Sequence, residues 1–302
     1  MTRDVFGLLR LPPLMTRCAG RPTLAIGLID GPAAPDHPLL APVVRTIGAR
    51  DGTMKARRET RAGLAVRHGT FLAGILSAYR DRGAPALCPE CRLLVRPIFE
   101  DLDREGLPDA APDVLAGAIE ECMEAGARIL NLSLAAARPA LHGHARLQAA
   151  LDSACRRGVL VVAAAGNQGV IGSSTLLRHP WVIPVAACDL QARPIAYTNL
   201  SHGIGRRGVS APGVEITSLA PDGGLARMGG TSVAAPLVTG MLALLWSLAP
   251  RASAHEIRAA LVAPSRRPSR IVPPVADGVA ASARLGIALP DLPDDSPEVA
   301  AC

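Results

Sequence analysis

Aromatic side chains are scarce: three Phe, two Tyr and two Trp in 302 residues. The core must therefore be built from Ala, Val, Leu and Ile. Lysine is rarer still, with Lys55 alone, so the net charge of +6 is carried almost entirely by arginine. Those arginines fall in pairs (Arg57-Arg58, Arg156-Arg157, Arg206-Arg207, Arg266-Arg267), with no long run and no interleaved aromatics. A nucleic-acid partner is excluded on that pattern, and a solvated surface is the simpler account. No segment reaches the roughly 18–20 uninterrupted apolar residues of a membrane span. The longest, LVTGMLALLWSLAP, is interrupted by Thr239, Gly240 and Ser247 and has the length of a core helix. The opening MTRDVFGLLRLPPLMTRCAG holds Arg10 and two prolines inside its apolar patch, which makes a poor signal peptide. Seven cysteines, an odd set in a long chain, point to a reduced, cytoplasmic protein. There is no internal repeat and no Asp-rich loop that would hold calcium through several carboxylates; no metal or cofactor is implied.

What is present is a rhythm. TLAIGLID (23–30) is a β-rich apolar run ending in Asp30, and the polar stretch 40–62 reads as loop. HGTFLAGILSAYR (68–80) has helical spacing, and CRLLVRPIF (91–99) reads as a buried strand. Helices are predicted over 112–127 and 145–158, and strands over 128–134, 159–166, 181–188 and 208–212, before a helix that starts near Ser232. Strands alternating with helices predict an α/β fold: a three-layer sandwich with a mainly parallel, doubly wound central sheet. The chain divides into an irregular segment 1–22, a large domain 23–264 and a Pro-rich, mobile tail 265–302.

Residues 229–236, GGTSVAAP, put a polar tetrad at the mouth of an apolar helix. A helix start offers unpaired N–H groups and a partial positive charge, which suits a nucleophilic hydroxyl. It equally suits an ordinary Thr or Ser cap. Asp30 at a strand end and His68 at a helix start are each, alone, a turn residue and a cap. Together with Ser232 they supply what covalent catalysis needs: a hydroxyl, an imidazole to take its proton, and a carboxylate to hold the imidazole.

The strings IGLIDGPAAPDHP, RHGTFLAGIL and GGTSVAAPLVTGMLALL, in the order Asp, His, Ser, resemble the three signature blocks of subtilisin-like serine proteases. The resemblance covers about residues 22–262. It implies that Asp30 orients the base, His68 is general base and acid, and Ser232 is the nucleophile. VLVVAAAGNQG (159–169) resembles the family's oxyanion segment, with Asn167 as donor beside the Ser232 backbone N–H. NLSLAAA (131–137) resembles one wall of the first specificity pocket, with Ser133, Leu134, Ala135 and Ala136 where Ser-Leu-Gly-Gly is usual; a plain buried strand fits it as well. Ala163, Ala164, Ala165 and Gly166 form the opposite wall by the same resemblance. Two alanine methyls in place of glycine hydrogens would narrow that pocket.

The chain departs from the family at Phe71, where a second histidine is usual, and only about 22 residues precede the first strand, too few for a pro-domain. IDGPAAPDHP and CRLLVRPIFE resemble most the cyanobactin-type maturation proteases, which implies a ribosomally made precursor peptide as substrate, cleaved to remove a leader or follower. Two alternatives stand: a macrocyclase or transpeptidase of the same fold, and a catalytically silent peptide-binding relative. Cys88-Pro-Glu-Cys91 has no second pair nearby to complete a zinc site and reads as a disulfide or two thiols. His142 and His144, flanking Gly143, read as solvated loop residues.

Overall fold

The computed structural model describes residues 4–34, 36–48, 63–99, 110–133, 144–262 and 271–290. The opening, expected to be irregular, holds two short helices, α1 (Val5–Leu9) and α2 (Pro12–Arg17). Asp4 caps the first and Pro12 starts the second, but neither is long enough to show a helical period in sequence.

The chain then runs β1 (Ala25–Asp30), β2 (Val44–Thr46), α3 (Leu64–Ser77), β3 (Arg92–Pro97), α4 (Pro112–Glu124), β4 (Ile129–Leu132), α5 (His144–Arg156) and β5 (Leu160–Ala164). It continues through α6 (Thr175–Arg178), β6 (Val182–Cys188), α7 (His202–Arg207), β7 (Val209–Pro212), the hairpin β8 (Ile216–Leu219) and β9 (Leu225–Met228), α8 (Thr231–Leu248), α9 (Ala254–Leu261) and α10 (Gly278–Arg284). Strand β2 falls inside the stretch read as loop: Val44–Thr46 is too short and too polar in its surroundings to stand out. Residues 49–62 of that stretch lie outside the described residues.

Seven strands form one sheet in the order β2-β3-β1-β4-β5-β6-β7, every neighbouring pair parallel. Helices α4 and α5 pack together on one side, α3 and α8 on the other. The doubly wound expectation holds, and its cause is visible in the strands: β1, β4, β5, β6 and β7 are buried along their whole length. A strand covered on both faces must be apolar without alternation, which is how these runs read.

Helix α8 is the backbone of that second layer. Burying one Leu or Val is worth about 1.5–3 kcal/mol, and α8 buries Leu237, Val238, Leu242, Leu244 and Leu245. Among the described helices it alone is long and apolar enough to cross a membrane, and 89% of it is buried inside the protein. The largest fully buried side chain is Phe71 of α3, so the residue that departs from the family pattern is spent on the core.

Residues 271–290, expected to belong to a loose tail, are attached to the domain. Ser210 of β7 donates its N–H to Pro274 O (2.7 Å) and accepts from Ala276 N (2.9 Å), so this segment covers the sheet's open edge. Asp277 then caps α10, which packs on α8, α9 and α2. Proline enrichment reads as loop in sequence, yet an edge strand tolerates proline. The remainder, 263–270 and 291–302, lies outside the described residues.

Strand β1 is the pivot, pairing with β3 on one flank and β4 on the other. The chain winds away from it in both directions, so a crevice opens at its carboxyl end. Asp30 stands there.

Candidate active site

Asp30, the last residue of β1, is fully buried. Its Oδ1 accepts from Gly31 N (2.7 Å) and from His68 Nδ1 (2.7 Å). A carboxylate can only accept, so Nδ1 carries the imidazole proton and Nε2 is left to accept from a hydroxyl. That hydroxyl is Ser232 Oγ, 3.1 Å away. Three residues far apart in sequence thus form one acid–imidazole–alcohol relay.

His68 was expected at a helix start. It sits instead in the second turn of α3, because Leu64, Ala65, Val66 and Arg67 already continue the helix from Gly63. The imidazole reaches Asp30 only because α3 lies hard against the turn that follows β1. A Cβ on Gly69 would run into the carbonyl oxygens of Gly31 and Pro32. Thr70 Oγ1 ties the same turn to the helix by accepting from Ala34 N (2.9 Å).

Burial opposes the imidazolium form of His68. The charge of Asp30 and its hydrogen bond outweigh that cost, so the His68 pKa lies above the usual imidazole value. Asp30 Oδ2 is buried with no hydrogen-bond partner among the described residues.

Ser232 is the second residue of α8 and half-buried. The N-cap is Gly230, with φ at 119°, and no side chain caps the helix. The octet's two readings are thereby separated: neither Thr231 nor Ser232 acts as cap. Gly230 holds a backbone conformation that side chains rarely adopt, and its N–H donates to Gly213 O (2.8 Å). Pro236 lies deeper than the first turn and has no N–H to give Ser232 O, so that one helical hydrogen bond is missing.

Asn167 follows β5 and is exposed. Its Oδ1 accepts from Thr231 N (2.9 Å) and Thr231 Oγ1 (3.0 Å). With its oxygen fixed, Nδ2 lies beside Gly230, two residues before Ser232, with no acceptor among the described residues. The amide is held as a donor, oriented by the same helix start that carries Ser232.

Of the residues expected to wall a specificity pocket, Ala163 and Ala164 lie in β5, which pairs with β4 through Leu132 and Ala163. Ser133 is buried just past β4, where its Oγ accepts from Asn131 Nδ2 (2.7 Å); Asn131 in turn accepts from Thr239 Oγ1 of α8 (2.8 Å). Ala163 and Ala164 are inside β5, Ala165 N donates to Val185 O (2.9 Å), and Gly166 N to Thr231 Oγ1 (3.0 Å). Leu134, Ala135, Ala136, His142 and Gly143 lie outside the described residues, and His144 begins α5. Cys88 and Cys91 are free thiols, fully buried before β3. Their mutual hydrogen bond pushes Cys88 up and Cys91 down. No group of three or more His, Cys, Asp or Glu that could hold a metal occurs among the described residues.

Sequence reading passed over Asn199. This buried amide, in the connection after β6, hydrogen-bonds the segment on both sides of Asn167. A polar Thr198-Asn199 pair between an exposed Tyr197 and a half-buried Leu200 was its only signal, and that pattern is common in turns.

A relay of carboxylate, imidazole and hydroxyl beside a fixed amide donor can run acyl transfer: attack by the hydroxyl, then stabilisation of the oxyanion that forms. At the rim of a parallel sheet, this describes a serine hydrolase. The chain belongs to the subtilase family, whose model matches residues 22–283, and is a subtilisin-type serine endopeptidase. It is 32% identical over 192 residues to subtilisin BL of Lederbergia lenta, an alignment that covers 63% of this chain and 67% of that protein. The prenylagaramide maturation protease PagA superposes with a TM-score of 0.78 at 26% identity, covering 92% of this chain and 99% of its own. The patellamide maturation protease PatA gives 0.73 at 27% identity, covering 89% and 99%.

Proposed function

We propose that Asp30, His68 and Ser232 are the catalytic triad, with Asn167 Nδ2 and the Ser232 N–H as oxyanion hole, of a protease that trims a ribosomally made precursor peptide. The observation that carries the triad is the continuous relay of 2.7 Å and 3.1 Å across the imidazole. His68 Nε2 takes the hydroxyl proton as Oγ attacks the scissile carbonyl carbon. The carbonyl oxygen becomes an oxyanion facing Asn167. Collapse breaks the C–N bond, and the imidazolium gives its proton to the leaving amine. Water, deprotonated by the same imidazole, then releases the acid and frees Ser232. Asp30 stays ionised and holds the ring in the tautomer that accepts at Nε2.

The substrate assignment draws support from PagA and PatA, both maturation proteases, which match nearly the whole length of this chain. The peptide adds as an extended strand beside the segment after β5, its backbone pairing and its side chains entering pockets. Free thiols at Cys18, Cys88, Cys91, Cys122, Cys155 and Cys188 favour a reducing, cytoplasmic setting.

A fluorophosphonate probe tests the triad: it should label the protein, and Ser232→Ala should abolish labelling. Labelling that survives the substitution refutes the assignment. Mass spectrometry of precursor peptides incubated with the enzyme tests the substrate: linear products ending in a new carboxylate are expected. Cyclised products would move the assignment to transpeptidation, and uncut peptides would remove it.

A further inference from the structure

The orientation of Asn167 poses a problem. The residue is exposed, its loop belongs to no helix or strand, and only its amide oxygen is held. An oxyanion donor works when it is aimed before the charge develops, so something must hold the peptide backbone that carries it.

We infer that Asn199 is a positioning residue for oxyanion stabilisation, bracing the backbone on both sides of Asn167. The inference rests on the proposed oxyanion role of Asn167. Asn199 is only 8% exposed. Its Nδ2 donates to Ala165 O (3.2 Å) and to Gln168 Oε1 (2.6 Å). Its Oδ1 accepts from Gln168 N (3.1 Å) and Val170 N (3.2 Å), and its own backbone N–H donates to Gly166 O (2.9 Å). The two amide protons and both oxygen lone pairs are therefore all used. Each bond ends on residues 165, 166, 168 or 170, two before Asn167 and two after it. No hydrogen bond runs from Asn199 to Asp30, His68, Ser232 or Asn167, so any influence on chemistry must pass through the loop.

The brace also has a fixed seat. Asn199 lies between Thr198, whose Oγ1 accepts from Ala187 N of β6 (3.1 Å), and Leu200, whose N–H donates to Val170 O (3.1 Å). Strand β6 is wholly buried, so through Thr198 the amide is anchored to the sheet. Loss of the side chain leaves two backbone N–H groups and one carbonyl of the 165–170 segment to find water. The segment can then drift by fractions of an ångström while Thr231 keeps its grip on Asn167 Oδ1. A donor misdirected on that scale loses oxyanion stabilisation, which acts in the transition state, and little ground-state binding.

The test uses the full chain and a fluorophosphonate, whose reaction with Ser232 places charge on a phosphoryl oxygen in the same site. Saturation kinetics separate the maximal labelling rate, kinact, from the apparent affinity, KI. Asn199→Ala should lower kinact about tenfold or more while KI changes less than about twofold. In an Asn167→Ala background the same substitution should change kinact less than about twofold, because the donor it positions is gone. Asn199→Asp keeps the acceptor but turns the donor into an oxygen facing Ala165 O and Gln168 Oε1. It should act in the same direction and carries the test if the alanine variant does not fold. Equal fold-losses in both backgrounds, a change confined to KI, or no change would overturn the inference while leaving the triad intact. A merely structural Asn199 would lower Tm and the labelled fraction without this dependence on Asn167. Failure of the unaltered protein to label would overturn the function reading, and the inference with it.

Discussion

The two halves of the relay are held by different physics. Asp30 and His68 are buried, at 0% and 7% exposure, and what brings them together is shape: a glycine-on-glycine contact that lets α3 lie against the turn after β1. Ser232 and Asn167 lie nearer to solvent, and directional hydrogen bonds from Thr231, Gly213 and Asn199 hold their segments. The charged pair gains from a dry site, where a carboxylate favours the imidazolium most strongly. In the proposed mechanism Ser232 and Asn167 must stay open to receive a peptide. Close packing, helped by the Thr70–Ala34 hydrogen bond, places His68, and polar bonds hold the segments of Ser232 and Asn167.

The most severe way to break that arrangement is at the relay itself. Ser232→Ala or His68→Ala should each lower kcat by roughly 10⁶-fold, the size known from a subtilisin, and the double variant should be no worse. Additive losses measured in a peptidase assay would mean the two do not act as a unit. Asn167→Ala is milder. It should cost about 10²–10³-fold in kcat, again the scale known for a subtilisin, with KM nearly unchanged. A loss appearing only in KM would return Asn167 to a binding role.

Gly69→Ala probes the packed half. The added methyl must push α3 off the carbonyls of Gly31 and Pro32, so thermal unfolding should show a destabilisation of about 1–3 kcal/mol. Activity should fall about 10²-fold through displacement of His68. Unchanged Tm and activity would show that the close approach is not what places the base.

The smallest effect is a shift along the pH axis. Because Asp30 holds the His68 pKa above the usual 6.5, kcat/KM should fall with acidification through a midpoint above that value. Asp30→Asn removes the charge and leaves the burial, which favours the neutral ring. The residual acid limb should move down, on top of a loss of about 10⁴-fold from the wrong tautomer. A pH–rate profile with its acid midpoint at or below 6.5 in the unaltered enzyme would contradict the electrostatic account.

Much of this was legible in the chain. Runs such as AIGLID and VIPVAAC announce buried parallel strands because strands covered on both faces admit no polar alternation. The Asp, His and Ser blocks were legible because each chemistry-bearing residue sits in a distinctive local string. Less visible were the pieces whose meaning is tertiary. Strand β2 and the hairpin β8–β9 are too short to carry a period, and the 273–276 edge segment is hidden by its prolines. Thr231, read as a possible cap, turns out to orient Asn167.

Sequence alone determined the parallel sheet and the order of the three blocks, since these are written in short-range periodicity and local strings. Only the folded chain decided how far into α3 the histidine lies, that Gly230 and not a hydroxyl opens α8, and that Asn199 supports the segment carrying Asn167. Those outcomes depend on contacts between residues up to 164 positions apart, as for His68 and Ser232, and local propensity holds no record of such contacts.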